Sequence, residues 1–403
     1  LLQVFLKNKD AKVFLKSSFL LLNTLTWLIV IRSVATKLME SFTHITINTF
    51  YLGVIISIII GGFLSEKMEE SRLLSLWLTF GIFASLLPLL MWIIKSIIVV
   101  FTVNFSLGFS FGLGIPSCLS HFTENTTFKN RASRAGLIFL LSSLCAPILL
   151  FFIESNLLVA ILLSFFWRLT SIAVLPSFVT VENRKAKTSA SFSSILRNKL
   201  FLAYFIPLLM FCFVDSFEKI YHEFFVEKEF LMLNRSIEPI FGAIFALIGG
   251  IFSDRVGRRR VIIYGFVSLG IAYAILGIAP SWVGTWYIYS IIDGISWGIF
   301  YTLYAIVLWG EIASPNQFKH KFYSVGGVPF FLSEFAASFF IPNIEKMTKE
   351  IAFTSFSMAA FFLFLAVIPL LYAQETLPES IMKERELKEY LEKAKKIKEK
   401  SDK

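Results

Sequence analysis

Of 403 residues, 56% are hydrophobic and only 16% charged, with a mean hydropathy of +0.72. Soluble domains carry about a quarter charged residues, so this composition excludes an ordinary water-soluble protein. The net charge of +10 does not indicate nucleic acid, because the basic residues fall in short gaps between apolar runs and read as topological signals.

The chain begins with Lys7, Lys9, Lys12 and Lys16 on a short amphipathic stretch without a cleavage-type site, which reads as a cytoplasmic lead-in. Apolar runs follow at 17–37, 46–65, 72–93, 97–120, 135–154 and 157–179, then at 199–222, 234–253, 261–279, 284–310, 323–343 and 351–373. Most approach the ~20 residues that cross a bilayer as a helix, and the ~10-residue alternation of a barrel is missing. The expected fold is therefore all-α, with twelve transmembrane helices in two pseudo-symmetric six-helix bundles. Residues 1–180 and 199–374 form the bundles, 181–198 is a polar cytoplasmic linker, and 375–403 is a basic cytoplasmic tail. In the tail, Leu387, Tyr390, Leu391, Ala394 and Ile397 make a weak helical stripe, and a surface helix or an irregular basic tail both fit it.

Basic residues alternate between the sides. One side collects the N-terminal lysines, Lys67 and Arg72, Lys129 to Arg134, Arg184 to Arg197, Arg255 to Arg260, Lys319, Lys321 and the tail. The positive-inside tendency places both termini in the cytoplasm, which requires an even number of spans, and a cell-membrane location is expected.

Several features recur at nearly the same distance. Gly61-Gly62-Phe63-Leu64-Ser65-Glu66-Lys67 is echoed 188 residues later by Gly249-Gly250-Ile251-Phe252-Ser253-Asp254-Arg255, and Gly108-x-x-x-Gly112 is matched 186 residues on by Gly294-x-x-x-Gly298. A single such glycine pair means close helix packing; a set at nearly the same offset, 186 to 188 residues, points to a duplicated chain. Within the loop, Gly257 permits a tight reversal, Asp254 can meet a neighbouring helix N-terminus or Arg258, and the arginines are expected to anchor at anionic lipid.

Gly250-Ile-Phe-Ser-Asp254-Arg255-Val-Gly257-Arg258-Arg259 resembles the signature between paired membrane helices of the major facilitator superfamily. The first-half copy departs from it: Glu66 and Lys67 stand for the Asp-Arg pair, and Glu69 and Glu70 occupy the following glycine and basic positions. Gln374-Glu375-Thr376-Leu377-Pro378-Glu379 resembles the ending of sugar and organic-solute porters, with Gln in place of the first Pro. The resemblance implies a cytoplasmic gate at Glu66, Lys67, Asp254, Arg255, Gly257, Arg258 and Arg259, and a central cavity lined by spans one, four, seven and ten.

Ionisable groups at membrane depth are costly, and each is a candidate site residue. Arg32 in span one and Asp215 in span seven lie at comparable depths and are expected to pair when the site is empty. In span ten, Asp293, Trp297 and Tyr301 follow one another at i+4, giving an acid and two aromatic rings on one face. Glu334 in span eleven is the best proton-site candidate, with Asp215 and Asp293 as further coupling candidates. Arg168 is expected to contact a carboxylate inside its bundle, and Glu218, Lys219 and His222 to form an outer gate or wet rim. Pro147, Pro207 and Pro329 are candidate bends.

Cys118, Cys145 and Cys212 have neither ligand spacing nor a disulfide pattern, and no cofactor, metal, nucleic acid or enzymatic site is expected. These residues together predict a monomeric secondary active transporter in the lipid bilayer, moving a small organic solute with protons as coupling ion. A proton-coupled exporter of cationic or amphipathic compounds and a non-transporting sensor on the same scaffold are the alternatives.

Overall fold

The computed structural model describes residues 9–39, 47–94, 96–153, 155–177, 188–225, 228–313, 317–340, 348–384, 387 and 391. The basic run Arg184 to Lys187 and most of the tail stripe lie outside the described residues. Apart from one bridge between Thr188 and Gln317, the described residues form helices and their connections. Before the central segment come α1 Lys9–Met39, α2 Ile47–Lys67, α3 Glu70–Leu89, α4 Ile97–Glu124, α5 Arg131–Leu150 and α6 Leu157–Val174. After it come α7 Lys199–Phe225, α8 Lys228–Val256, α9 Arg258–Ile278, α10 Val283–Ile312, α11 His320–Ala337 and α12 Lys349–Tyr372.

Eleven helices among the described residues are long and apolar enough to cross a membrane. Helix α11 coincides with the expected eleventh span but is not among them, because its 18 residues include His320, Lys321, Glu334 and two glycines. It packs against α2 and α7, and a helix lodged between others need not be apolar on every face. Elsewhere the outward positions are as apolar as the core: Phe83, Ile98, Phe151, Ile278 and Phe361 are exposed, while Trp27, Trp77 and Trp309 are buried. This is the pattern of a chain whose solvent is lipid, where close packing replaces the hydrophobic effect as the force between helices.

The repeated glycines do that packing. A Cβ on Gly108 or Gly112 would overlap the Phe50 or Val54 carbonyl of α2, and one on Gly294 or Gly298 would overlap the Glu238 or Gly242 carbonyl of α8. Thus α4 packs on α2 as α10 packs on α8, α1 meets α5 as α7 meets α11, and α2 meets α11 as α8 meets α5.

Two helices carry breaks. Helix α4 is interrupted at Leu113 and Gly114, where the Trp77 indole packs against Gly114 and donates to the Ser110 carbonyl at 2.7 Å. Helix α10 passes through a π-helical segment, Tyr301–Val307. Arg168 corrects an expectation: among the described residues its bonds go to Asn23 Oδ1 at 2.9 Å and Thr24 Oγ1 at 3.1 Å, not to a carboxylate. Its guanidinium lies between the Trp27 and Trp77 rings at 4.4 Å from each, so the aromatic faces supply negative potential in place of an anion.

Candidate functional site

A cavity of about 850 Å³ lies between the two halves of the sequence. Its wall takes Arg32 from α1, Tyr51 from α2, Asp215 and Lys219 from α7, Trp297 and Tyr301 from α10, and Glu334 from α11. It reaches Thr36, Lys37, Ile153 and Pro239 at the end of the molecule remote from the duplicated loops.

The charges form one connected chain. Asp215, buried, accepts from Lys219 Nζ at 2.5 Å and from the Trp297 indole Nε1 at 2.7 Å. Lys219 also faces Glu334 at 3.7 Å, and Glu334 has Arg32 at 3.4 Å and the Tyr51 hydroxyl at 3.5 Å as its other neighbours. The expected Arg32–Asp215 pair does not form; each takes a different partner, because Lys219 stands one helical turn from Asp215 on the same face. Lys219 is therefore a cavity residue and not part of an outer rim.

Beside this cluster Trp297 stacks on Tyr301 at 4.6 Å, and Tyr301 is nearly parallel to Phe330 at 5.6 Å and 11°. Phe139 from the first half stacks on the same tyrosine at 5.1 Å. The π segment starts at Tyr301, and such irregularities mark functional positions in helices. Asp293 shares the helix but not the cavity wall: it is buried, and its Oδ1 has no hydrogen-bond partner among the described residues.

The loop end is closed by a buried ion-pair network. Asp254 accepts from the backbone N–H groups of Ala132 at 3.2 Å and Ser133 at 2.8 Å, capping α5 across the halves, and pairs with Arg258 at 2.8 Å. Arg258 then reaches Glu311 at 3.2 Å, and Arg131 reaches the same Glu311 oxygen at 3.0 Å. Gly257, at φ 107°, makes the turn between α8 and α9, and Glu375 accepts from the Arg258 and Arg259 N–H groups at 2.7 and 3.1 Å, capping α9. The expectation that the arginines anchor at lipid is corrected for two of them. Arg258 is fully buried in this network and Arg259 donates to the Ala373 carbonyl at 2.6 Å, whereas Arg255 and Arg260 are exposed.

The first-half loop makes a smaller closure. Glu66 pairs with Lys321 at 2.7 Å and accepts from Ser189 at 2.6 Å, while Lys67 is exposed over the Phe63 ring. Glu70, the residue that departs from the signature, meets His121 Nδ1 at 3.0 Å inside the first half. The hydroxyls of Thr123 and Tyr323 bond between α4 and α11, adding a further tie across the halves.

A family profile described as Sugar (and other) transporter matches residues 218–393. Among solved structures, the E. coli fucose:proton symporter is similar at 13% identity, over 91% of this chain and 99% of that one, with a TM-score of 0.69. A human organic anion transporter is similar at 12% identity, over 90% of this chain and 100% of that one, with a TM-score of 0.67. A major facilitator superfamily proton:xylose symporter is similar at 12% identity, over 91% and 96%, with a TM-score of 0.64. The chain has the major facilitator superfamily fold. No curated protein is recognisably similar in sequence.

Within that fold, sequence reasoning missed Tyr51 and Glu238, which line the cavity, and Glu311 of the loop-end network. Glu311 sits at the end of the tenth span, where it reads as a boundary residue; nothing in the chain signals that Arg131, 180 residues away, shares it. Lys219 did carry a signal, its i+4 spacing from Asp215.

Proposed function

We propose that this protein is a secondary active transporter that moves a small organic solute across the membrane by alternating access, with protons as the coupling ion. The reading carries with it twelve spans in two six-helix bundles, with α11 as the polar twelfth member, and places both termini and the signature loops in the cytoplasm. The observation that carries it is a cavity between the halves that reaches the far end of the molecule while buried ion pairs shut the loop end. Two ends that differ in this way are what one state of an alternating carrier requires. With the loops cytoplasmic, this state faces outward.

In this reading Arg32, Trp297 and Tyr301 contact the solute, Glu334 exchanges the proton, and Asp215 holds Lys219 and Trp297 in place. Asp293 is a second proton candidate, buried behind the wall. Two of the similar structures are sugar:proton symporters, which supports the coupling ion. Export of cationic compounds loses its best acid, because Lys219 already neutralises Asp215.

Purified protein in sealed vesicles, given sugars, carboxylates and amines under an imposed pH gradient, tests the proposal. Saturable uptake that grows with the gradient is the expected result. Binding without flux across the panel overturns transport in favour of a sensor.

A further inference from the structure

Two properties of the cavity restrict its cargo. The first is what the wall lacks: no asparagine, glutamine or histidine lines it among the described residues. Its hydroxyls are mostly engaged, with Ser33 on the Ile29 carbonyl at 3.0 Å, Thr36 on the Arg32 carbonyl at 3.0 Å, and Ser216 donating to Ser333 at 2.9 Å. A polyol brings several hydroxyls that each need a partner once water is lost, and each one left unpaired weakens binding. The connected charges Arg32, Glu334, Lys219 and Asp215 are gathered in one part of the wall, which suits a ligand with its polar atoms at one end.

The second property is the fit of Glu334. Its three donors stand at 3.4, 3.5 and 3.7 Å, whereas charge-assisted bonds relax to about 2.7–2.9 Å. Asp215, in the same cluster, keeps its two donors at 2.5 and 2.7 Å. Arg32 and Lys219 also remain open to the cavity, with 45% and 40% of their side chains accessible. Glu334 is therefore held loosely between Arg32 and a Lys219 that already pairs with Asp215, beside the aromatic cluster of Trp297, Tyr301 and Phe330.

We propose that Glu334 is an internal stand-in for the carboxylate of the cargo, and that the cargo is a small aromatic carboxylate and not a sugar. The proposal rests on the transport reading only in taking this cavity as the binding site. A ligand carboxylate enters between Arg32 and Lys219, takes closer bonds than Glu334 makes, and lays its ring against the border of the Trp297, Tyr301 and Phe330 cluster. Asp215 is not displaced, since its partners are already at bonding distance.

The test is equilibrium binding of radiolabelled benzoate, with xylose and benzylamine as the contrasting probes, to purified full-length protein in lipid nanodiscs. Benzoate binds saturably and the other two do not. Glu334→Gln, which removes the competing charge at constant shape, tightens benzoate about tenfold, and Arg32→Ala weakens it at least about tenfold. Lys219→Arg keeps benzoate binding while Lys219→Met loses it, which separates charge from folding in a second pair of variants. Xylose binding without benzoate binding, weaker benzoate binding in Glu334→Gln, or equal affinity in the two Lys219 variants overturns the assignment. Benzoate binding in nanodiscs with no flux in vesicles overturns transport but leaves the carboxylate site standing; saturable xylose flux without benzoate binding does the reverse.

Discussion

Lys219 determines how the other charges of the cavity are partnered. From the chain alone, Arg32 and Asp215 were the natural ion pair, one from each half at similar depth. The lysine one turn from Asp215 takes the aspartate, and Arg32 is left to Glu334. The consequence is testable at Glu334: if it exchanges the coupling proton, Glu334→Gln loses at least about tenfold of pH-driven accumulation in vesicles. Energy-independent exchange in the same vesicles falls much less, and equal retention of both activities would remove Glu334 as the proton carrier. Residue type and depth marked three of the charged cavity groups in the sequence, Arg32, Asp215 and Glu334, whereas Lys219 read as part of an outer rim. Partnership was illegible, because it depends on which faces of α1, α7 and α11 turn inward.

Among the helices, the two matched glycine pairs were readable as contacts before any partner was known. Their spacing states that a neighbouring backbone comes close, and α2 and α8 supply those backbones. A side chain here separates two helices along their length, so Gly298→Val is expected to cost about 1–3 kcal/mol, read as a lowered melting temperature of the detergent-solubilised protein. Gly257 has a different role. Its φ of 107° with ψ 152° is a conformation that costs other residues about 1–3 kcal/mol, and a Cβ would also overlap the Glu375 carboxylate that caps α9. Gly257→Ala therefore both strains the turn and dislodges the cap; the same melting assay detects the loss, and an unchanged melting temperature would contradict it. The π segment of α10 had no sequence signature, because a one-residue shift in hydrogen bonding leaves composition and hydropathy unaltered.

Across the whole molecule, the halves are held together at the loop end by charges that no single half completes. Arg131 and Arg258 come from different halves and share Glu311, with exposures of 3% or less for all three side chains. Removing one partner leaves buried unpaired charge, so Glu311→Ala is expected to destabilise this closed state by about 3–5 kcal/mol. In a background lacking Cys118, Cys145 and Cys212, a Thr36→Cys reporter at the far end reacts readily with an impermeant thiol reagent. Adding Asp254→Asn and Glu311→Gln shifts reactivity from that reporter to one at the loop end; no shift would mean that the network does not hold the halves in this state.

The amino-acid sequence by itself determined the membrane setting, the helical class, the duplicated arrangement of motifs and which apolar runs carry charged residues. These follow from composition, run length and spacing, which are properties of neighbours along the chain and of the solvent they require. Tertiary structure alone decided that Glu334 sits among Arg32, Tyr51 and Lys219, that Glu311 joins the two halves, and that Asp293 lies behind the cavity wall. Those arrangements depend on helix rotation and on contacts between residues up to 302 positions apart, and side-chain partnership over such separations is set by packing, not by local pattern.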